Sequence, residues 1–358
     1  MSGFIQLHYL TVYPPSNPNR DDLGRPKTVI FGGEPRLRIS SQAIKRAVRI
    51  SDTMQKSLQG HMGERTQRIG EVIRNSLLIK GANEDQAIKL AKELADVFGK
   101  IDVEAEKKGQ IRTRQLAFVS PEERAFAIDL AEKALNGEPL PSNKELKKLI
   151  LRTADGAVDV GMFGRMLADD PDFNREAAVQ ISHALTTHRA LVEDDFYTAA
   201  DDLKSVSEDA GAGFVGDSGF GSGIYYLYAC VDTELLIKNL DGDKDLAAHA
   251  TSTLAEALAI STPSGKRNSF AHQTRAGYIR AEYGHQQPRS LAGAFFKPVI
   301  GDLMEGSIAA LTKMNEQMSA TYGPCQDRYA VMNMSAPQGS ITEIRDFVLT
   351  AVLQNFND

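Results

Sequence analysis

Apolar residues alternate with polar ones, or run unbroken, in a few short stretches of this chain, and these predict its strands. Residues 4–12 (FIQLHYLTV) place Ile5, Leu7 and Tyr9 on one face and Phe4, Gln6, His8 and Leu10 on the other, the two-residue period of an extended chain. Residues 224–232 (IYYLYACVD) are aromatic and β-branched almost throughout and give the clearest strand. Shorter β segments are expected at residues 158–162 and 178–185. In residues 36–39 (RLRI), strict alternation sends Arg36 and Arg38 to one face and Leu37 and Ile39 to the other.

Helical periodicity follows at once. With Ser40 or Ser41 as N-cap, Ile44, Ala47 and Val48 form the buried stripe of an amphipathic helix, and Gln42, Lys45, Arg46 and Arg49 fill its opposite face. From about residue 60 to 151 the pattern is again helical. Ser120-Pro121-Glu122-Glu123 is a capping box with proline at the first helical position, and Ser142-Asn143-Lys144-Glu145 is a second box. One stretch reads as a loop and another as a hairpin or loop. Residues 13–22 (YPPSNPNRDD) carry three prolines and leave Arg20 exposed, and residues 205–223 are rich in Gly, Ser and Asp, as in an extended flexible hairpin or loop. No internal repeat of 20 to 50 residues is visible.

Charge changes the picture. The 358 residues carry a formal charge of −6, yet residues 19–49 (NRDDLGRPKTVIFGGEPRLRISSQAIKRAVR) hold eight Lys or Arg against three Asp or Glu, so this one segment is +5 and everything else sums to −11. Concentrated positive charge in an acidic chain points to a polyanionic partner. A helix N-terminus with unpaired amides, basic side chains on the exposed face and Gly32-Gly33 just upstream, where a ligand backbone can approach, together make a phosphate cradle. A second basic segment, residues 264–297, adds Lys266, Arg267, Arg275, Arg280, Arg289 and Lys297 against Glu282 alone. Phe270, Tyr278 and Tyr283 lie among them, which suits either base stacking or a solvated loop over core aromatics.

The succession N-R-D-D, G-x-P-K, F-G-G and R-x-R-I-S-S-Q-x-x-K-R resembles the opening of the CasC family, the backbone of type I-E CRISPR surveillance complexes. The resemblance continues at residues 158–166 (VDVGMFGRM), 181–188 (ISHALTTH), 197–202 (YTAADD) and 222–226 (SGIYY), and departs at Glu34-Pro35, where members often place a basic residue. It implies an α/β (α+β) fold: an RRM-like, ferredoxin-like palm with a helical finger insertion and a β-hairpin thumb. The corresponding boundaries are residues 1–58, 152–190 and 224–358 for the palm, 59–151 for the finger and 191–223 for the thumb. It further implies a non-catalytic protein without cofactor or metal that polymerises head to tail along a CRISPR guide RNA and presents it for pairing with target DNA. Other Cascade subunits and, indirectly, a recruited nuclease-helicase would be its partners. On this reading Arg20, Lys27, Lys45, Arg46 and Arg49 neutralise phosphates and Ser40 and Gln42 bond sugar or phosphate oxygens, contacts indifferent to base sequence. Met166, Tyr197 and Thr198 sit near the kinks where a thumb displaces a nucleotide.

Other chemistries are weaker. Gly211-Ala212-Gly213-Phe214-Val215-Gly216 is formally G-x-G-x-x-G but lacks the preceding strand and following helix of a dinucleotide site. Gly216-Asp217-Ser218-Gly219 lacks the partners of a serine nucleophile. His183 and His188, five apart, fit no metal-ligand spacing and are expected to be structural. Asp21 and Asp22 beside the basic segment carry the one catalytic alternative, a metal-dependent endoribonuclease, against the simpler role of capping a turn. Cys230 and Cys325 are too few for a disulfide framework, no apolar run approaches a membrane span, and no export signal is seen at the start, so the cytoplasm is the expected compartment.

Overall fold

The computed structural model describes residues 3–167, 170–199 and 214–354. In chain order the elements are β1 (Phe4–Ser16), β2 (Thr28–Phe31), β3 (Glu34–Ile39), α1 (Ser41–Arg49), α2 (Asp52–Ser57), β4 (Glu64–Thr66), α3 (Ile69–Ile79), α4 (Glu84–Ala95), α5 (Val103–Glu106), β5 (Ala117–Val119), α6 (Pro121–Leu135), α7 (Asn143–Ile150) and α8 (Val158–Phe163). They continue with β6 (Val179–Ile181), β7 (Ala184–Thr186), β8 (Glu193–Ala199), β9 (Phe214–Asp232), α9 (Thr233–Asn239), α10 (Lys244–Ile260), α11 (Arg267–Phe270), β10 (Ala276–Gly284), α12 (Leu303–Tyr322), β11 (Arg328–Asn333) and α13 (Ile341–Gln354). The fold is α/β, as expected, and its main sheet is antiparallel throughout, in the order β11-β10-β1-β9-β7-β3-β2, with β6 and β8 also paired to β9.

Both faces of this sheet are covered, which explains why β1 and β9 read as nearly unbroken apolar runs. Ile5, Leu7 and Tyr9 of β1 pack into the larger core with Val348 of α13 and the alanine-rich α10, while Leu10 enters a smaller core with Tyr226, Phe295 and Leu311 of α12. The face assignment made from alternation therefore holds, with helices on both sides. A third core, built from residues such as Ile73, Leu94, Ala127 and Leu146, serves the helical stretch α3–α7 by itself, with the short β4–β5 pair at its base. Both capping boxes form: the Ser120 side chain and backbone exchange bonds with Glu123, and the Glu145 carboxylate accepts from the Ser142 N–H and hydroxyl.

Two expectations are corrected. Residues 158–162 form α8, not a strand. Every residue from Val158 to Met162 is buried, and Asp159 is satisfied from two sides, by the Gly63 N–H at 2.7 Å and by Arg49 Nε at 2.8 Å. Gly164, at φ +76°, then ends the helix. Residues 178–185 are β as expected, in two strands, β6 and β7, that part at Ser182-His183. The two prolines after Tyr13 do not end β1, which runs on to Ser16 through a register shift that spares the ladder their missing N–H groups.

Of the two readings of residues 205–223, hairpin or loop, the described part follows the hairpin. From Phe214 onward they belong to β9, whose first half pairs with β8 in an antiparallel hairpin, Glu193 opposite Phe220 through Ala199 opposite Phe214. Gly216-Asp217-Ser218-Gly219 lies inside this ladder, in no nucleophile turn, and Gly211 to Gly213 fall outside the described residues.

A buried polar cluster under α12 makes the fold acid-sensitive. Glu282 pairs with Arg280 and Arg289, each at 2.6 Å, and lies 3.7 Å from His8, whose Nδ1 is 2.9 Å from the Tyr226 hydroxyl. Burial by itself would raise the Glu282 carboxyl, but Arg289, donating to it at 2.6 Å, holds it well below the usual carboxylate range, and burial holds His8 below its ordinary 6.5. Below pH 6.5 the unfolded chain takes up a proton at His8 that the folded state refuses, and below 4.5 the same holds for Glu282, so stability falls with pH in both steps. The urea midpoint is expected to drop from pH 7.5 to 5.5, and His8→Gln to flatten that part of the profile.

Candidate nucleic-acid interface

Arg46 lines a groove of about 710 Å³ that no single stretch of sequence forms. One wall is the side of α1 carrying Ala43, Arg46 and Ala47, continued by Ile50 to Thr53; the other is the turn that follows α10, from Ile260 to Gly265, with Arg267, Gln273, Thr274 and Arg275. The two basic segments thus meet across one trough, three guanidiniums against the single carboxylate of Asp52. Arg46 and Arg275 are exposed, and Arg267 donates to the Thr262 carbonyl at 2.6 Å while its buried Nε has no partner.

The backbone around the groove is specialised. Gly265 sits against the Asn17-Pro18 turn so closely that a Cβ would lie 2.4 Å from the Pro18 carbonyl oxygen. Lys266 and Ala271 bracket α11 in the left-handed region, at φ +51° and +49°, a conformation that costs a non-glycine residue energy and here turns Arg267 inward to the groove.

The sequence-derived residues divide by environment. Ser40 is the N-cap of α1, its hydroxyl accepting from the Ala43 N–H while its own N–H donates to Asn19 Oδ1 at 2.8 Å. Gln42, Arg46 and Arg20 are exposed, and Lys27 is half-buried, its N–H bonded to the Asn19 carbonyl. Lys45 is half-buried over the Phe163 ring, its pKa lowered by burial and by Arg65. Arg49 turns inward: it pairs with Asp159 and lies 4.8 Å from the Phe118 ring centre, so its charge is already answered. Met166, 83% exposed just after α8, and Tyr197 and Thr198 on β8 lie on other elements. Asn19, which ties Ser40 and Lys27 together, and Asp159 were missed, because their partners lie far away in sequence or in backbone atoms.

Several readings of the basic segments need correction. Arg36 shares its strand face with Arg38 as expected, but it is fully buried, donating to the Thr186 and Phe295 carbonyls at 3.2 and 3.0 Å. Gly32 and Gly33 serve the β2–β3 turn, both at positive φ, and Gly32 packs on the Phe296 carbonyl rather than lying open to a ligand. In the second basic segment the front half faces the groove, while Arg280 and Arg289 are consumed by Glu282 and Tyr278 and Tyr283 are buried. Asp21 Oδ1 accepts from the Leu23 and Arg25 N–H groups, the turn-capping role. His183 and His188 bond to neighbouring backbone, and among the described residues no cluster of three potential metal ligands occurs.

The family model described as CT1975-like protein matches residues 5–354. A chain of a solved "CRISPR RNA-guided surveillance complex, pre-nicking" is 28% identical, with TM-score 0.86, covering 97% of this chain and 100% of its own. A chain of a second "CRISPR RNA-guided surveillance complex" shares the fold at 24% identity and TM-score 0.72, covering 97% and 99% respectively. A comparison with curated proteins found no match.

Proposed function

The chain belongs to the CT1975-like protein family, in agreement with the CasC resemblance of its sequence, and from this we propose that it is a non-catalytic backbone subunit of a type I-E CRISPR surveillance complex. It binds the guide RNA along its backbone, repeats head to tail with copies of itself and with other subunits, and offers the guide for pairing with target DNA. The observation that carries the reading is the groove: Arg46 from one basic segment and Arg267 and Arg275 from the other face a single trough. A strand of phosphates held there is read by charge and shape, not by base, as a guide of variable sequence requires. The RRM-like palm, the finger over residues 59–151 and the β8–β9 thumb are parts of this proposal, as is a cytoplasmic setting. Asp21, already committed to its turn, favours the non-catalytic reading over the endoribonuclease one.

The test is to purify the protein with its native neighbours, extract the nucleic acid that accompanies it, and sequence it. Short RNAs of uniform length with variable interiors between constant ends are expected. No RNA, or random fragments, would refute the guide-binding role, and cleavage of bound RNA with Mg²⁺ that is lost on Asp21→Asn or Asp22→Asn would replace it with the nuclease.

A further inference from the structure

His183 sits where β6 and β7 part, and its ring is fixed by two donors. The Ser41 N–H, at the start of α1, donates to His183 Nδ1 at 3.1 Å, and Arg38 Nη1 lies 3.2 Å from the same nitrogen. A backbone amide and a guanidinium can only donate, so Nδ1 carries no hydrogen and the ring proton belongs to Nε2. Burial, Arg38 and Lys27 all lower the histidine pKa, which agrees with a neutral ring. The side chain is exposed, and Nε2 has no hydrogen-bond partner among the described residues. Among the described residues no carboxylate pairs with Lys27 or Arg38 there either. Two unanswered cations and one oriented neutral donor therefore share a patch beside the N-terminal end of α1.

Resting on the guide-binding reading, we infer that His183 is a phosphate-backbone contact: its Nε2–H donates to a phosphodiester oxygen that Lys27 and Arg38 hold by charge. The chemistry excludes the other uses of the site. Two cations repel a metal ion, and a ring whose Nδ1 is blocked and whose Nε2 is protonated is no general base. A neutral donor also has a distinct signature. It adds a hydrogen bond but displaces no counterion, so its loss weakens binding without altering the salt dependence, whereas loss of Lys27 lowers the slope of log K against log salt by roughly 0.7.

Asparagine and glutamine separate the two nitrogens. His183→Asn places an acceptor where Nδ1 accepts from Ser41 and removes the reach of Nε2; His183→Gln keeps a donor near Nε2 and gives up the cap. Binding of the full chain to a single-stranded RNA oligonucleotide, and to DNA of the same sequence, is measured by anisotropy over a salt series, with thermal midpoints alongside. His183→Asn is expected to melt like the wild type and bind both strands about tenfold more weakly, as for one lost bond to a charged group, with an unchanged salt slope. His183→Gln is expected to melt earlier and keep most of its affinity. Wild-type affinity in His183→Asn would reduce His183 to a helix cap, and a slope lowered as in Lys27→Ala would mean that the ring is charged; either overturns the inference while leaving the guide-binding reading intact. A loss confined to RNA would replace the phosphate by the 2′-hydroxyl. Failure of the wild-type chain to bind either strand would overturn the reading and the inference together.

Discussion

Replacing Glu123 by alanine is expected to destabilise the chain by about 3–5 kcal/mol, the range for leaving one partner of a buried ion pair alone. Glu123 is fully buried at the start of α6 and accepts from the Ser120 N–H at 3.1 Å, the Arg152 N–H at 2.8 Å and Arg165 Nη1 at 2.6 and 2.7 Å. Alanine opens the capping box and, more costly, leaves the Arg165 guanidinium 1% exposed with carbonyls as its only acceptors among the described residues: Phe118, Arg152 and Phe173. These three residues lie on either side of the junction between the helical stretch and the segment after α7, so the loss should loosen that junction first. Chemical denaturation of the variant measures the loss. A cost below about 1 kcal/mol, the upper range of an exposed pair, would show that Arg165 escapes to water. Glu123→Ala combined with Arg165→Met is expected to recover much of the stability, because the buried charge goes with its partner.

The same pair shows what sequence can and cannot reveal. The capping box Ser120-Pro121-Glu122-Glu123 is local, and its helix was legible from four residues; that Glu123 also neutralises Arg165, 42 positions on, was not. Alternation placed Ile5, Leu7 and Tyr9 correctly because a strand's period is fixed by its backbone, whatever packs on it. It also placed Arg36 and Arg38 on one face, but it carried no information on depth, and Arg36 proved to be a buried donor to two carbonyls. Composition misled at residues 158–162, where V-D-V-G-M reads as a strand and tertiary burial on all sides holds a helix instead. Arg49 completes the lesson. Its position on the polar face of α1 was right, and only Asp159, from that misread segment, turns its charge inward.

Removing the groove's charge is expected to have the largest effect on function. The triple variant Arg46→Ala/Arg267→Ala/Arg275→Ala should lower the salt slope of single-stranded RNA binding by about 2, at roughly 0.7 per lost phosphate contact, and the affinity near 0.1 M salt by about a hundredfold. These three side chains line one trough, whereas Arg49, Arg280 and Arg289 lie against carboxylates and would register as stability when removed. Arg267 also bonds the Thr262 carbonyl, so Arg46→Ala/Arg275→Ala, which touches two exposed side chains alone, is the control: it should melt like the wild type and show about two thirds of the triple variant's slope change. An unchanged slope in both variants would move the nucleic-acid path off this groove. A lowered slope would fix the guide to the face where the two basic segments meet, because Arg46 comes from one of them and Arg267 and Arg275 from the other.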